Sequence, residues 1–433
     1  MSETTLAFVS FGFTITFIII IMRRYLSPIA ALLIIPLFLL IVLGQLDQTG
    51  EFVIDGVGRI VPTLLTLIFA VLYFAIMIDR GLFEPVVRIV VRFAGNDPTK
   101  IMYASVILPG IIALDGSGTT AALISLSALL PIFNRLGLNK LMLVTLLVLS
   151  DMMAHIVPWG SPMIRVSGAL HLDSGSFYPP LIPPILITFV SLFGIAYWFG
   201  RKETARLAAL PGGLAALPSF HADDRPAYSR KDRMLFVFNL SLTFALVVVM
   251  ATAGKALAVA VMIAFVIALT VNYPRLSDQA KFLASHADRT LTVALLIIGA
   301  GAFTGIMTGS GALDAMANLS LTVMPDWLGD YMAPITAALS VPLTFMLSND
   351  AFYFGVLPLF ATMGQEHQIP VESIARAALI GQPLHAFSPL IAGIYFCCGL
   401  AKIEFGELQA FAIPWALLVS IIFFSAAWIT GAF

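Results

Sequence analysis

Two short polar stretches interrupt apolar runs, and each carries an aspartate. Leu114-Asp115-Gly116-Ser117-Gly118-Thr119-Thr120 separates the runs 101–114 and 121–133, and Ser348-Asn349-Asp350 separates 332–347 from 351–363. A lone aspartate in hydrocarbon costs roughly 2.5–3.5 kcal/mol on the insertion scale, so a charge at that depth points to something bound. The glycines let the first stretch turn and expose N–H and C=O groups, which is tolerated only where they line a cavity or are buried in protein. Either aspartate can serve simply as a helix cap in a water-filled vestibule. The functional reading makes Asp115 and Asp350 cation or proton sites, with Ser117, Thr119, Thr120, Ser348 and Asn349 as neutral ligands.

Other residue types add to this chemistry. Arg165 follows the breaker cluster Pro158-Trp159-Gly160-Ser161-Pro162 and is the only arginine in its apolar segment. Its planar fork matches a carboxylate. The alternative is a structural salt bridge to Asp151 or Asp115. Asp151 and His155 are spaced i, i+4 and share a helix face. Because histidine titrates near neutrality they can relay a proton, or they can be a satisfied structural pair. His385, in a second breaker cluster, is a candidate for proton coupling or substrate contact, whereas Trp159 fits packing better. Two unit charges about 4 Å apart interact by about 4 kcal/mol at an effective dielectric near 20. A polycarboxylate beside Asp115 and Asp350 is therefore repelled unless a cation or protons intervene. Oxygen ligands of this kind suit Mg²⁺ or Ca²⁺, and no His/Cys cluster points to zinc.

These groups need a membrane to hold them. The hydrophobic fraction is 60% and the charged fraction 11%, against about 25% charged in soluble domains. Apolar stretches near the roughly 20-residue spanning length recur throughout, which predicts an all-α polytopic membrane protein in contact with the lipid bilayer. A net charge of −1 leaves no basic footprint for nucleic acid. Cys397 and Cys398 are adjacent in an apolar run and form neither a disulfide framework nor a zinc site.

Spans are expected at 5–22, 27–43, 60–78, 141–171, 179–200, 234–251, 254–272, 290–308, 372–400 and 408–430, about ten in all. A partly amphipathic segment, 82–94, lies along the interface. The positive-inside rule places Arg23 and Arg24 in the cytoplasm and both chain termini outside. Runs 101–133 and 332–363 are too short per arm to cross, so each is expected as a re-entrant hairpin with its aspartate at the tip. Breakers at 158–162 and 382–389 make the spans 141–171 and 372–400 discontinuous.

The halves repeat. Ile76-Met77 through Gly81 to Glu84 matches Ile306-Met307 through Gly311 to Asp314. Leu130-Pro131-Ile132-Phe133 recurs as Leu357-Pro358-Leu359-Phe360, and Ser161-Pro162 as Ser388-Pro389. One half starts outside and the other inside, so 1–200 and 234–433 read as inverted repeats joined by a cytoplasmic linker, 201–233. Such repeats place a substrate site near the midplane where their broken elements meet.

With these motifs in hand, Asp115-Gly116-Ser117-Gly118-Thr119-Thr120, Pro158-Trp159-Gly160-Ser161-Pro162, Ser348-Asn349-Asp350-Ala351-Phe352-Tyr353-Phe354-Gly355 and Gly381-Gln382-Pro383-Leu384-His385 resemble the citrate–metal/proton symporter (CitMHS) family of the ion-transporter superfamily. The resemblance runs through nearly the whole chain. It implies a homodimeric, elevator-type carrier of the bacterial inner (plasma) membrane, importing citrate or a related polycarboxylate as a divalent-metal complex with protons. Carried over by position, the first tip and first break, with Ser117, Gly118, Thr119, Gly160, Ser161 and Arg165, would form one half-site, and Ser348-Asn349-Asp350 with the stretch Gln382 to Ser388, including Pro383 and His385, would form the other. The coupling candidates are Asp115, Asp350, Asp151, His155 and His385. The chain departs from the family pattern at Ser117, where an aspartate is expected, at Ser161, where a glycine is, and at His155, where an amide is.

Rival readings are a sodium-coupled dicarboxylate symporter, a cation/proton antiporter and an intramembrane hydrolase using Asp115 and Asp350. The chain has no Gly-x-Ser-x-Gly elbow, which argues against an enzyme. From the cost of a charge at the first tip, Asp115→Asn is expected to abolish substrate uptake while the protein stays folded. Wild-type uptake by that variant would defeat the coupling role of Asp115.

Overall fold

The computed structural model describes residues 2–23, 25–82, 84–115, 118–209, 230–252, 257–323 and 326–433, and the described residues are helical with no strand. The first half contains α1 (Glu3–Met22), α2 (Pro28–Leu43), α3 (Thr49–Asp79), α4 (Glu84–Ala94), α5 (Pro98–Ile112), α6 (Gly118–Leu136), α7 (Lys140–Ala154), α8 (Ser161–Leu170), the single turn α9 (Ser174–Phe177) and α10 (Ile182–Ala208). The second contains α11 (Arg230–Thr252), α12 (Leu257–Asn272), α13 (Leu276–Gly309), α14 (Ala312–Val323), α15 (Asp326–Gly329), α16 (Met332–Met346), a turn of π-helix (Ala351–Val356), α17 (Leu357–Glu366), α18 (Val371–Ala377), α19 (Gln382–His385), α20 (Ala392–Ala401) and α21 (Phe405–Ile429).

Local chemistry explains where many of these helices begin. Ser27 caps α2 by accepting from Ala30 N at 3.2 Å, Asp97 caps α5 from Thr99 N at 2.8 Å, and Asn139 caps α7 from Leu141 N at 2.9 Å. Proline follows two of these caps, at Pro28 and Pro98, where its missing N–H costs nothing. The repeated Gly81 and Gly311 also acquire a reason. Both adopt left-handed backbone, at φ 67° and 73°, closing α3 and α13 before a short helix. At Gly81 the turn is a Schellman cap, with Gly81 N bonded to Ile78 O and Leu82 N to Met77 O, each at 2.9 Å.

α5 and α6 flank the first polar stretch; α16 and α17 flank the second. The gap between α7 and α8 holds the first breaker cluster, and α19 with its flanking turns holds the second.

The spans differ from expectation. Glu3–Ile21, Pro179–Ala208, Thr290–Gly309 and Phe405–Ile429 are long and apolar enough to cross a membrane, and Leu46–Pro62 with Leu64–Asp79 forms a further pair bent by 44°. Other apolar helices, among them Pro28–Leu43 and Ala258–Asn272, have 10–17 residues. Among the described residues, four or five helices meet the full length. α3 and α13 begin well before the expected 60 and 290, so Glu51, Asp55, Arg59 and Lys281 lie on helices rather than in loops. The expected linker is helical at 201–208 and 230–233, and 210–229 lies outside the described residues.

Large apolar side chains stay exposed on outer faces: Phe38 of α2, Val190 of α10, Phe244 of α11 and Ile421 of α21. A surface of this kind suits hydrocarbon. The chain is an integral membrane protein. Inside, two apolar clusters form. The larger unites both hairpins with α7, α10 and α21, and a smaller one joins α1, α2, α13 and α14 to Ala169 of α8 and Phe354 of the π turn. α10 and α21 meet through tilted aromatic rings, with Trp198 and Trp415 centroids 5.0 Å apart.

α3 and α13 cross at glycines. A Cβ on Gly56 would overlap the carbonyl oxygen of Gly301 and the backbone of Gly305, and one on Gly305 would overlap the carbonyl of Phe52. Backbones approach this closely in membrane bundles only where side chains are absent. Gly56→Val is therefore expected to destabilise the detergent-solubilised protein by about 1–3 kcal/mol or more, read as a lowered unfolding midpoint. An unchanged midpoint would show that the seam can part freely.

Candidate functional site

Ending a helix inside an apolar body leaves carbonyl groups without partners. In both halves, the broken segment supplies them to its own hairpin. In the first half, Trp159 Nε1 donates to the carbonyl oxygen of Leu114 at 2.8 Å, at the hairpin tip. The indole is buried against Phe74, with centroids 4.9 Å apart. In the second half, Ser388 Oγ donates to Phe345 O at 2.7 Å, and His385 Nδ1 bonds the carbonyl of Thr344. Both carbonyls belong to the last turn of α16. Gly381 completes the fit, because a Cβ there would strike the Ser340 carbonyl.

This accounting redefines several candidates. His385 is buried and held by its carbonyl bond; in the neutral ring its Nδ1 is the donor and Nε2 the acceptor. It is an anchor of the hairpin before anything else. Pro383 sits in the first turn of α19 and is fully enclosed, so its contribution is to shape the turn. Gly160 carries extended backbone as the N-cap of α8, and a Cβ on it would collide with the His155 carbonyl. It lets the chain double back between the half-helices. Ser348 Oγ accepts from Ala351 N at 3.2 Å and starts the π turn, an element often found at functional sites.

The two halves meet at Arg165. Its Nε donates to Asp350 Oδ1 at 2.6 Å, and its Nη1 donates to the carbonyl of Ser161 at 3.1 Å and to the Ser161 hydroxyl. Side-chain exposure is 18% for Arg165 and 14% for Asp350, so the pair is largely out of water. The salt-bridge alternative for this arginine therefore holds with a different partner, Asp350 rather than Asp151; the Asp115 side chain lies outside the described residues. Beside the pair, Gln382 Nε2 donates to Asn349 Oδ1 at 3.2 Å and to the Tyr353 hydroxyl at 2.7 Å. Gln382 is fully buried, and its Oε1 has no hydrogen-bond partner among the described residues. Arg165, Ser161, Ser348, Asn349, Asp350, Gln382 and Tyr353 thus lie at one junction of α8, the second tip and the second break. Gln382 was expected only as part of the second half-site and Tyr353 had no role from sequence; a glutamine among breakers and a tyrosine in an aromatic run do not reveal which polar atoms will meet.

Asp151 and His155 do come together on α7, both buried. His155 Nδ1 lies 3.3 Å from Asp151 Oδ1 and 2.9 Å from the Asp151 carbonyl oxygen, and the geometry favours the carbonyl as acceptor. Gly116 and Ser117 lie outside the described residues, as do the side chains of Asp115, Thr119 and Thr120; Gly118 begins α6. At the far end of α8 from Ser161, an open cavity of about 700 Å³ is lined by Arg59, His171, Asp314, Gln365 and Glu372 among others. Burial, and then the nearby Glu366 carboxylate, raise the pKa of Asp314 there.

Comparison with known proteins adds an independent finding. A family model described as citrate transporter matches residues 17–381. A citrate transporter of Bacillus subtilis (strain 168) is 39% identical over 426 residues, covering 98% of this chain and 99% of that one. From the same organism, a Mg(2+)/citrate complex secondary transporter is 34% identical over 432 residues, with 99% of each chain covered. In overall fold, the structure of the YdaH transporter of Alcanivorax borkumensis superposes with a TM-score of 0.58 at 14% identity, covering 89% of each chain.

The hairpin caps are open to direct test. Trp159→Phe keeps the buried ring but leaves the Leu114 carbonyl without its donor, with an expected cost of about 1–3 kcal/mol. Thermal unfolding in detergent checks this, and an unchanged midpoint would mean that the carbonyl has another partner.

Proposed function

Given that the chain belongs to the citrate transporter family, we propose that it imports citrate, or a closely related polycarboxylate, as a complex with a divalent metal ion and together with protons. Family membership makes it a transporter and not an enzyme, which removes the hydrolase reading. The observation that carries the finer reading is the junction of Arg165 and Asp350: a carboxylate-binding fork and a cation-binding carboxylate, side by side and largely dry. Around them the donors are hard oxygens, with Gln382 Oε1 unpartnered and the Asn349 and Ser348 side chains adjacent. Such a set suits Mg²⁺ or Ca²⁺. The relative named for a Mg(2+)/citrate complex supports the same cargo.

In this reading the hairpins are re-entrant and the halves are inverted repeats, with the repeated order of long helix, left-handed glycine, short helix, hairpin and broken helix as support. The hairpins, broken helices, α10 and α21 form a mobile transport body. The α1–α3 and α11–α14 elements form a scaffold, in a homodimer of the bacterial plasma membrane with both termini outside. Asp115 joins Asp350 in cation coupling, and Asp151 with His155 serves the proton.

Uptake of labelled citrate into proteoliposomes tests the reading. Uptake is expected to require Mg²⁺ or Ca²⁺, to follow an inward proton gradient and to ignore Na⁺. Uptake that needs Na⁺ and is indifferent to divalent ions would replace it with the sodium-coupled alternative.

A further inference from the structure

The two charges that suit the two components of the cargo are already bonded to each other. Arg165 Nε holds Asp350 Oδ1 at 2.6 Å, and Ser161 fixes the same guanidinium through its carbonyl and hydroxyl oxygens. A free polycarboxylate that takes the arginine's Nε displaces Asp350, which strands a largely buried carboxylate beside the arriving anion. A free divalent cation that takes Asp350 Oδ1 strands the arginine in turn. Breaking one side of a buried ion pair is heavily penalised because the abandoned charge has neither water nor partner. A metal–carboxylate complex escapes that penalty. Its metal takes Asp350 while its carboxylate takes Arg165, so two ion pairs exchange partners and no charge is left bare.

On the reading of a metal–carboxylate cargo given above, we propose that the Arg165–Asp350 pair is an exchange latch that makes the complex, rather than either component, the bound species. Discrimination then comes from the penalty against the incomplete cargo as much as from attraction to the complete one. The latch also gives the empty carrier a neutral site. With no cargo, the pair closes on itself, and the binding elements can cross an apolar environment without an unpaired charge at this point. Asn349 and Gln382 sit next to the latch, and the buried, unpartnered Gln382 Oε1 is an oxygen for the metal once Asp350 is released from the arginine.

The test is equilibrium binding to the purified full-length protein in detergent. The probes are citrate with EDTA, MgCl₂ alone, and citrate with MgCl₂. Wild type is expected to bind the mixture at least about tenfold more tightly than either probe alone. Asp350→Asn frees the arginine, so its affinity for citrate in EDTA should rise about tenfold over wild type, and Mg²⁺ should no longer help. Arg165→Gln frees the carboxylate, so Mg²⁺ alone should bind more tightly while citrate binding is lost. The double variant removes both charges together and guards against misfolding of the singles; without the arginine its citrate binding should be weak, and the same with and without Mg²⁺. A folded Asp350→Asn that binds EDTA-treated citrate no better than wild type overturns the latch. Mg²⁺ dependence of wild-type size in the double variant also overturns it, and leaves the metal-complex reading standing. Wild-type binding of citrate that is indifferent to Mg²⁺ overturns that reading, and the latch with it.

Discussion

A guanidinium and a carboxylate removed from water must neutralise each other, and the contact between Arg165 and Asp350 imposes this across the whole molecule. The arginine stands on α8 and the aspartate at the second hairpin tip, 185 residues apart in the chain. For them to meet, α8 must start afresh at Ser161 with its first turn aimed at the other half. That restart needs the doubled-back chain that only Gly160 accommodates. Losing either partner from a buried pair costs about 3–5 kcal/mol, so neither charge stays here without a counter-charge. The same contact is what gives the junction its character, since one site presents both signs of charge.

The second constraint is backbone accounting. Helices that stop inside an apolar body must pass their last carbonyls to some donor. Each broken segment meets that need for its own hairpin, through Trp159 in one half and through Ser388 and His385 in the other. A hairpin tip and its neighbouring break are therefore one structural unit. Polar residues in the breaks divide between holding the tips and facing the junction: Ser161 and Gln382 belong to the junction, His385 and Ser388 to the hairpin. The α3–α13 glycine seam lies outside this unit and brings the two longest described helices into backbone contact.

Much of the architecture was legible in the chain because it rests on local signals. The helices on either side of each polar stretch follow from the apolar runs, and the interruptions between α7 and α8 and around α19 from clustered proline and glycine. Gly81 and Gly311, matched by spacing alone, turn out to hold the same left-handed turn, which other residues adopt only under strain. The pairing of Asp151 with His155 follows from their i, i+4 spacing. The lengths of α3 and α13 were hidden, because charged residues such as Glu51, Asp55 and Lys281 read as loop although a helix end at a membrane surface carries them readily. Fewer of the described helices reach the full spanning length than there are apolar runs, because an apolar run records burial but not whether one helix runs through it.

By itself, then, the sequence determined an all-helical membrane protein, two polar tips, two broken helices and the family to which the chain belongs. Each depends on composition, on periodicity, or on motifs contained within a few residues. Tertiary structure alone decided that Arg165 pairs with Asp350, that His385 anchors a carbonyl, and that the Gln382 oxygen is left without a partner. Charges and hydrogen-bond donors choose among all the groups that folding brings within about 3 Å. That choice is made by packing between distant segments, and no spacing along the chain encodes it.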